Sequence, residues 1–518
     1  MQPVCIRHTE LPGTSKLFAD FVYHFDRVAP FYHHDPHDWA SYSRAASAIE
    51  YPAGRRTALV AALRGQNGPS AALDRLSEPG TTAVITGQQV GLFSGPAYTI
   101  YKALTAIRLA QRLSADGIPA VPVFWLATED HDFAEIDHAW VYNAAGEPHA
   151  VRITDAAPLR PTPVGGVSLK NPPIAELAKI LQGMPFAEEV VAAIREAYPA
   201  GVTLGEGCKA FLKNLLGRYG LLFLDPLDPA IRRIGAPFMR QALSSSSELQ
   251  SKLMQRNAQL SASGYHAQVH VDQKTSLYFL LNNGERQTLR RKPDEFLELA
   301  DRAADVSPNA LLRPVWQDFL LPTVAYVGGP GELAYLAQSS VLYESLLGRM
   351  PVVLPRSSFT ILDSRSSKIL RRNKISAAQV FTPEEALKEK FANNLVPASI
   401  HGSVEDTRSG IASQLQLLKN QLEAFDPTLA KSLKKSESKI LYQIDKVGRK
   451  TARESLRRDQ RALEDTRYLT NRIYPHRHPQ ERFYSILPLL AQHGMGLIHD
   501  IAELVELDCP DHRVHVPA

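Results

Sequence analysis

Thr82-Ala83-Val84-Ile85-Thr86-Gly87-Gln88-Gln89-Val90-Gly91-Leu92-Phe93-Ser94-Gly95-Pro96 is the stretch that decides the fold. A short β-branched run enters a glycine-rich loop, and Pro96 suits the first turn of a helix. From Ala97 to Leu113, Ile100, Leu104, Ile107 and Leu113 fall near helical spacing. Ala120-Val121-Pro122-Val123-Phe124-Trp125-Leu126-Ala127 then reads as a second buried strand. Strand, loop, helix, strand is a βαβ unit, which predicts a parallel sheet with a right-handed crossover.

The same grammar recurs outward from that unit. Leu221-Leu222-Phe223-Leu224 is a short strand ending at Asp225-Pro226. Val324-Ala325-Tyr326-Val327 enters Gly328-Gly329-Pro330-Gly331, and a helix follows from Glu332 to about Leu347. Val352-Val353-Leu354 ends at Pro355-Arg356. Residues 1–80 read as mostly helical. Two insertions are expected, at about 150–215 and 260–320. The second holds a hairpin between Tyr265 and Leu289, turning at Asn282-Asn283-Gly284.

Farther on, Ile411, Leu415, Leu418, Leu422, Phe425 and Leu429 alternate steps of four and three, a heptad seam. Asp426 can cap a new helix and Pro427 fits its first turn. That helix is predicted to run to about Arg472, with Leu433, Ile440, Ile444 and Val447 on one face. The fold class is therefore α/β with a long antiparallel helical hairpin. The expected divisions are a core over 1–378, a coiled coil over 379–473, and a segment over 474–518 that folds back on the core.

A chain of 518 residues exceeds what one core sustains, about 250–300 residues. The charged fraction of 22% and hydrophobic fraction of 44% are those of a soluble globular protein. A net charge of +4 is too weak to imply nucleic acid without a local cluster. Cys5, Cys208 and Cys509 are far apart in sequence, which argues against a disulfide framework and against a zinc site. Met1 to Pro12 has no signal-peptide run, and no stretch nears the ~20 apolar residues of a membrane span. A cytoplasmic protein is expected.

In open parallel sheets, ligands bind where the strands end. The Thr86–Pro96 loop opens a helix, so its backbone can meet an anion, with Gln88 and Gln89 as donors. A purely structural turn is the other reading. Thr128-Glu129-Asp130-His131-Asp132 packs three carboxylates and an imidazole just past a buried strand. Such a cluster calls for a cation, either a substrate ammonium or Mg2+, and His131 is a candidate general base. A solvated loop with a self-bonded histidine is the alternative. Gly328 to Gly331 opens another helix, and Arg356 could grip a carboxylate or phosphate. The second long helix is rich in Lys and Arg between Lys431 and Arg461. Aromatic residues do not interleave with those cations, which favours a solvated face over RNA.

Thr86-Gly87-Gln88-Gln89-x-Gly-Leu-Phe-Ser-Gly-Pro96, Phe124-Trp125-x-x-x-Glu129-Asp130-His131-Asp132-Phe133, Gly329-Pro330-Gly331-Glu332-x-Ala-Tyr335, Pro355-Arg356 and Pro479-Gln480-Glu481-Arg482 together resemble the BshC family, the cysteine ligases of bacillithiol synthesis. The resemblance covers most of the chain in one order. It implies a Rossmann-like core related to class I aminoacyl-tRNA synthetases, with a coiled coil that pairs two subunits. It implies amide formation between cysteine and glucosaminyl-malate. On this reading Gln88, Gln89 and Ser94 hold phosphate or carboxylate oxygens. Glu129, Asp130 or Asp132 binds the cysteine ammonium, His131 takes a proton from the attacking amine, and Arg356 neutralises malate or phosphate. Thr86, Gly87, Phe93, Gly95, Tyr326, Gly328, Gly329, Glu332 and Ser358 complete the candidate binding set. ATP or ADP and Mg2+ are candidate ligands, and the resemblance leaves their use open. Two other readings stand beside it: a synthetase-like nucleotide-binding protein acting on RNA or another amino-acid acceptor, and a non-catalytic coiled-coil scaffold.

Overall fold

The computed structural model describes residues 4–154, 158, 160–289 and 293–517. The chain divides into two compact units, Met1–Ile361 with Glu481–Ala518, and Leu362–Gln480. The division falls at 361 and 480, where the sequence suggested breaks near 378 and 473.

The first unit is organised by a five-stranded sheet. Its strands are β1 (Thr82–Gln88), β2 (Ala120–Leu126), β3 (Leu222–Leu224), β4 (Thr323–Gly328) and β5 (Val352–Pro355). They stand in the order β5-β4-β1-β2-β3, and every neighbouring pair is parallel. Helix α1 (Tyr98–Ala115) makes the crossover from β1 to β2. Helices α2 (Arg313–Leu320) and α3 (Pro330–Leu346) flank β4.

The sheet is buried on both faces, as an all-parallel sheet must be. Ile85, Val123 and Trp125 join one apolar cluster, while Phe124 and Leu126 join a second with Ile100 and Leu104 of α1. Each such aliphatic side chain contributes about 1.5–3 kcal/mol on burial. Pro122 lies inside a central strand, which usually excludes proline. Ala127 N–H donates to Gln88 O, so the odd positions of β2 hydrogen-bond toward β1. The missing donor of Pro122 therefore faces β3, where pairing begins only at Val123.

A second sheet has the order Val4–Ile6, His512–His515, Ser358–Ile361. The sequence reading missed all three strands, which are only three or four residues long. The hairpin at Asn282–Gly284 forms as expected, with Asn283 at φ 50° and Gly284 at φ 77°. Among the described residues no helix is long and apolar enough to cross a membrane.

In the second unit, α4 (Ala398–Phe425) and α5 (Pro427–Arg458) form the hairpin. Asp426 caps α5 by accepting from Thr428 N at 2.8 Å, and Arg408 Nε reaches Asp445 at 3.1 Å between the helices. One expectation needs correction. The second helix does not run through to 472, because Asp459 leaves helical geometry and caps α6 (Gln460–Ile473). Leu433, Ile440, Ile444 and Val447 lie along one side of α5 at heptad spacing. Leu433 and Ile444 are half-buried there with Leu441 and Gly448, while Ile440 and Val447 stand at the exposed edge. A Cβ on Gly448 would meet Val404 at 3.4 Å, so the helices approach closely there.

Candidate active site at the switch point of the sheet

From β1 the chain builds the sheet to one side through β2 and β3, then returns to the other side as β4. The crevice at that reversal is where open α/β sheets bind ligands. A cavity of about 350 Å³ lies there, at the carboxyl ends of β1 and β4.

Its floor is a buried ion pair. Lys102 of α1 is buried, and its Nζ lies 2.6 Å from Glu332 Oε2. The same ammonium donates to the Gly87 carbonyl, and to Gln88 Oε1 at 3.1 Å. Glu332 also accepts from Gly329 N and from the Tyr326 hydroxyl, both at 2.8 Å. Burial pushes the Glu332 carboxyl up, but the Lys102 ammonium and these donors outweigh it and hold it below the ordinary range.

One wall offers donors. Trp125 Nε1 and Gln317 Nε2 are buried with no hydrogen-bond partner among the described residues, and both residues line the cavity. Leaving such groups unmatched costs about 1–3 kcal/mol each. Arg313, one turn before Gln317 on α2, also lines the cavity and forms no ion pair with a described carboxylate. Burial opposes its charge, but Tyr335, Tyr326, Glu129 and Asp130 outweigh that, so the guanidinium stays protonated. Other lining residues offer acceptors. Gln89 Nε2 bridges Asp130 Oδ2 at 2.7 Å and Glu135 Oε2 at 2.8 Å. Burial raises the Asp130 carboxyl, yet Gln89, Arg286 and the His131 N–H bring it below its usual value. The cavity is thus polarised, lined both by unmatched donors and by the carboxyl oxygens of Asp130 and Glu135.

Behind it lies a closed network. Arg356 grips Glu481 through Nη1 at 2.9 Å and Nη2 at 2.6 Å. Glu481 also accepts from Phe359 N and Ser358 Oγ, each at 2.9 Å. His512 bridges Ser358 Oγ at 2.6 Å and Thr360 Oγ1 at 2.8 Å. Burial alone would raise Glu481, but Arg356 and the other donors take it from 4.5 to about 2. Burial takes His512 from 6.5 to about 4. For both groups the unfolded chain binds the proton more readily, so stability rises with pH across each interval. The His512 contribution fades as pH falls from 6.5 to about 4, and that of Glu481 from 4.5 to about 2. Thermal melts at descending pH should show an acid limb over that range. His512→Gln should flatten its upper part, and an unchanged limb would contradict the assignment.

The family model described as "Bacillithiol biosynthesis BshC, N-terminal Rossmann-like domain" matches residues 1–357, and "Bacillithiol biosynthesis BshC, C-terminal coiled-coil domain" matches 359–515. The chain belongs to the BshC family. It is 51% identical over 525 residues to a Solibacter usitatus protein named "Putative cysteine ligase BshC", covering 100% of each chain. A Koribacter versatilis protein of the same name is 34% identical, with 99% of each covered. One from Symbiobacterium thermophilum is 31% identical, with 95% of each covered.

The BshC-family motifs do not all reach the cavity. Gly87, Gln88, Gln89, Asp130, Tyr326, Gly329, Glu332 and Arg356 line it. Gly328 ends β4 beside it, Thr86 lies within β1 shortly before its end, and the Thr86 hydroxyl donates to Val327 O at 2.8 Å, joining the two strands. Phe93 and Ser94 are buried away from the cavity, and Gly95 does not line it either. Phe93, Ser94 and Gly95 hold φ of 54°, 74° and 68°, a left-handed turn packed on Tyr198. Ala97 N–H at the start of α1 donates to Tyr484 O at 2.7 Å. That loop therefore does not form an open phosphate cradle.

Glu129 is buried in a structural role, accepting from Arg232 at 3.2 Å and Ser307 at 2.8 Å. Asp132 caps a short helix through Glu135 N. His131 sits outside the cavity lining, 5.4 Å from the Phe279 ring. Its Nδ1 lies 3.2 Å from Arg286 Nη1, and a guanidinium can only donate, so that nitrogen is already used as an acceptor. Burial and then Arg286 lower its basicity. Arg356 lines the cavity, but its fork is engaged by Glu481, and Ser358 serves the same network. Sequence reasoning missed Lys102, Glu135, Arg313 and Gln317. Only Lys102 carried a signal, as a lone charge on the apolar face of α1.

Proposed function

We propose that this chain is a cytoplasmic ligase that forms an amide bond between cysteine and glucosaminyl-malate, and that the switch-point cavity is where it does so. The observation that carries this reading is the polarised cavity. Both substrates bear a carboxylate and an amine, and the cavity sets Arg313, Gln317 and Trp125 against Asp130 and Glu135. The family names of the relatives support the same chemistry.

Asp130 is the proposed acceptor for the proton of the attacking amine, because it is ionised and faces the cavity. Arg313 and Gln317 hold the substrate carboxyl, and the donors on that wall meet the charge that grows on its oxygen. Joining a carboxylate to an amine loses water and runs uphill unless the carboxyl is activated. ATP with Mg2+ is the proposed source of that activation, and no cavity residue is assigned to it.

The test is an assay of purified protein with cysteine and glucosaminyl-malate, with and without ATP and Mg2+. Bacillithiol should appear in the complete mixture, and its absence there would defeat the reading. Asp130→Asn should lower kcat by about 100- to 10,000-fold. His131→Ala should cost much less, and equal losses would restore His131 as the base.

The hairpin is proposed to pair with a second copy of the chain. Leu417, Leu418, Phe425, Leu429, Ile440 and Val447 are exposed along it, Phe425 at 83%. Val404 and Gly448 lie in contact, so a short Gly-Ser linker can replace residues 405–447. Light scattering should then report a monomer, and a persisting dimer would refute the pairing.

A further inference from the structure

Lys102 fixes the direction of one amide in the cavity. Its ammonium donates to Gln88 Oε1 at 3.1 Å, so the Nε2 end of Gln88 is left to donate, and it reaches the Tyr98 hydroxyl oxygen at 3.1 Å. A phenol that accepts through its oxygen still has its own hydrogen to give. That hydrogen meets no acceptor among the described residues, and Tyr98, at the start of α1, lines the cavity. Burial raises the Tyr98 phenol, which keeps it protonated as a donor.

Two guanidiniums lie over the Tyr98 ring, Arg356 at 5.2 Å from the centroid and Arg482 at 5.9 Å. Arg356 is held by Glu481. Arg482 is exposed, lines the same cavity and forms no ion pair among the described residues. Tyr98 and Arg482 therefore make a second set of donors, carried by other elements than the Arg313 and Gln317 set on α2.

We infer that Tyr98 and Arg482 bind a non-reacting carboxylate of the sugar substrate, and so set the preference of the cavity for an amine that carries malate. The inference rests on the proposed ligase reading. In that reaction the cysteine carboxyl is the group joined to the amine, so it must lie within reach of the nitrogen whose proton Asp130 takes. The carboxylates of malate take no part in bond making, yet each needs a counter-charge when it leaves water. Arg482 stands where solvent still reaches, which suits a group held away from the reacting carbon.

The test is calorimetric titration of the full chain with glucosaminyl-malate, followed by steady-state kinetics. Arg482→Gln should weaken binding by about 10- to 100-fold, and Tyr98→Phe, which keeps the ring, by about 10-fold. Arg482→Lys should restore part of the loss, because it returns the charge without the planar fork. KM for glucosaminyl-malate should rise in the same order, with KM for cysteine and for ATP held within twofold. Unchanged binding by Arg482→Gln, or a rise in KM for cysteine or ATP instead, would overturn the subsite. A chain that binds glucosaminyl-malate through Arg482 but makes no amide would defeat the ligase reading alone. A chain that makes bacillithiol with no change on Arg482→Gln would defeat the subsite alone, and a chain that neither binds nor reacts would defeat both.

Discussion

Arg313→Ala is expected to raise KM for the substrate whose carboxylate it binds by about 30- to 1000-fold, the equivalent of about 2–4 kcal/mol. Arg313 reaches the cavity from α2 and has no carboxylate partner among the described residues. Removing it therefore strands no buried protein anion, and the melting temperature should hardly move. Arg313→Lys keeps the charge but loses the planar fork, so only part of the affinity should return. Steady-state kinetics with each substrate varied in turn will show which carboxylate it holds. If KM for both substrates stayed within a factor of two, the donor wall would have no part in binding.

Glu481→Ala should produce the largest loss of stability, about 3–5 kcal/mol by urea unfolding, because it leaves Arg356 buried without a counter-charge. The pair is buried on both sides, at 5% and 4% side-chain exposure. Glu481 also satisfies Phe359 N and Ser358 Oγ, so the deletion orphans several donors together. Glu481→Gln keeps the shape and some of the hydrogen bonds, and should cost less. A loss below about 1 kcal/mol for the alanine variant would mean that water replaces the carboxylate, contrary to a closed network.

The two predictions separate what the sequence showed from what it hid. The β1–α1–β2 unit was legible because its signals are local: a β-branched run, a loop, helical spacing and a second apolar run. The Gly-Gln-Gln loop and Asp130 were placed at the strand ends for the same reason. What those side chains do there was not legible. In the sequence Arg356 reads as a free anion hook, but Glu481, remote in sequence, fills its fork. His131 reads as a base, but Arg286 occupies its Nδ1. Ser94 looked like a phosphate donor, yet the left-handed turn at Phe93–Gly95 carries it into the core. Arg313 and Gln317 carried no local mark, since an arginine and a glutamine one turn apart suit any amphipathic helix. Their meaning comes only from β4 and α3 closing around the same space. The helix break at Asp459 was hidden for a related reason: Arg458-Asp459-Gln460 has no proline or glycine, and the cap shows only in the backbone angles.

The Arg356–Glu481 clasp also bears on the order in which the protein can be made. Glu481 is the first residue after the chain returns to the first unit, and it grips Arg356, Ser358 and Phe359 from just before the chain leaves. A ribosome therefore finishes the whole second unit before the partner of Arg356 emerges. A chain that stops before Glu481 lacks both the carboxylate that Arg356 grips and the strand His512–His515 that pairs with Ser358–Ile361.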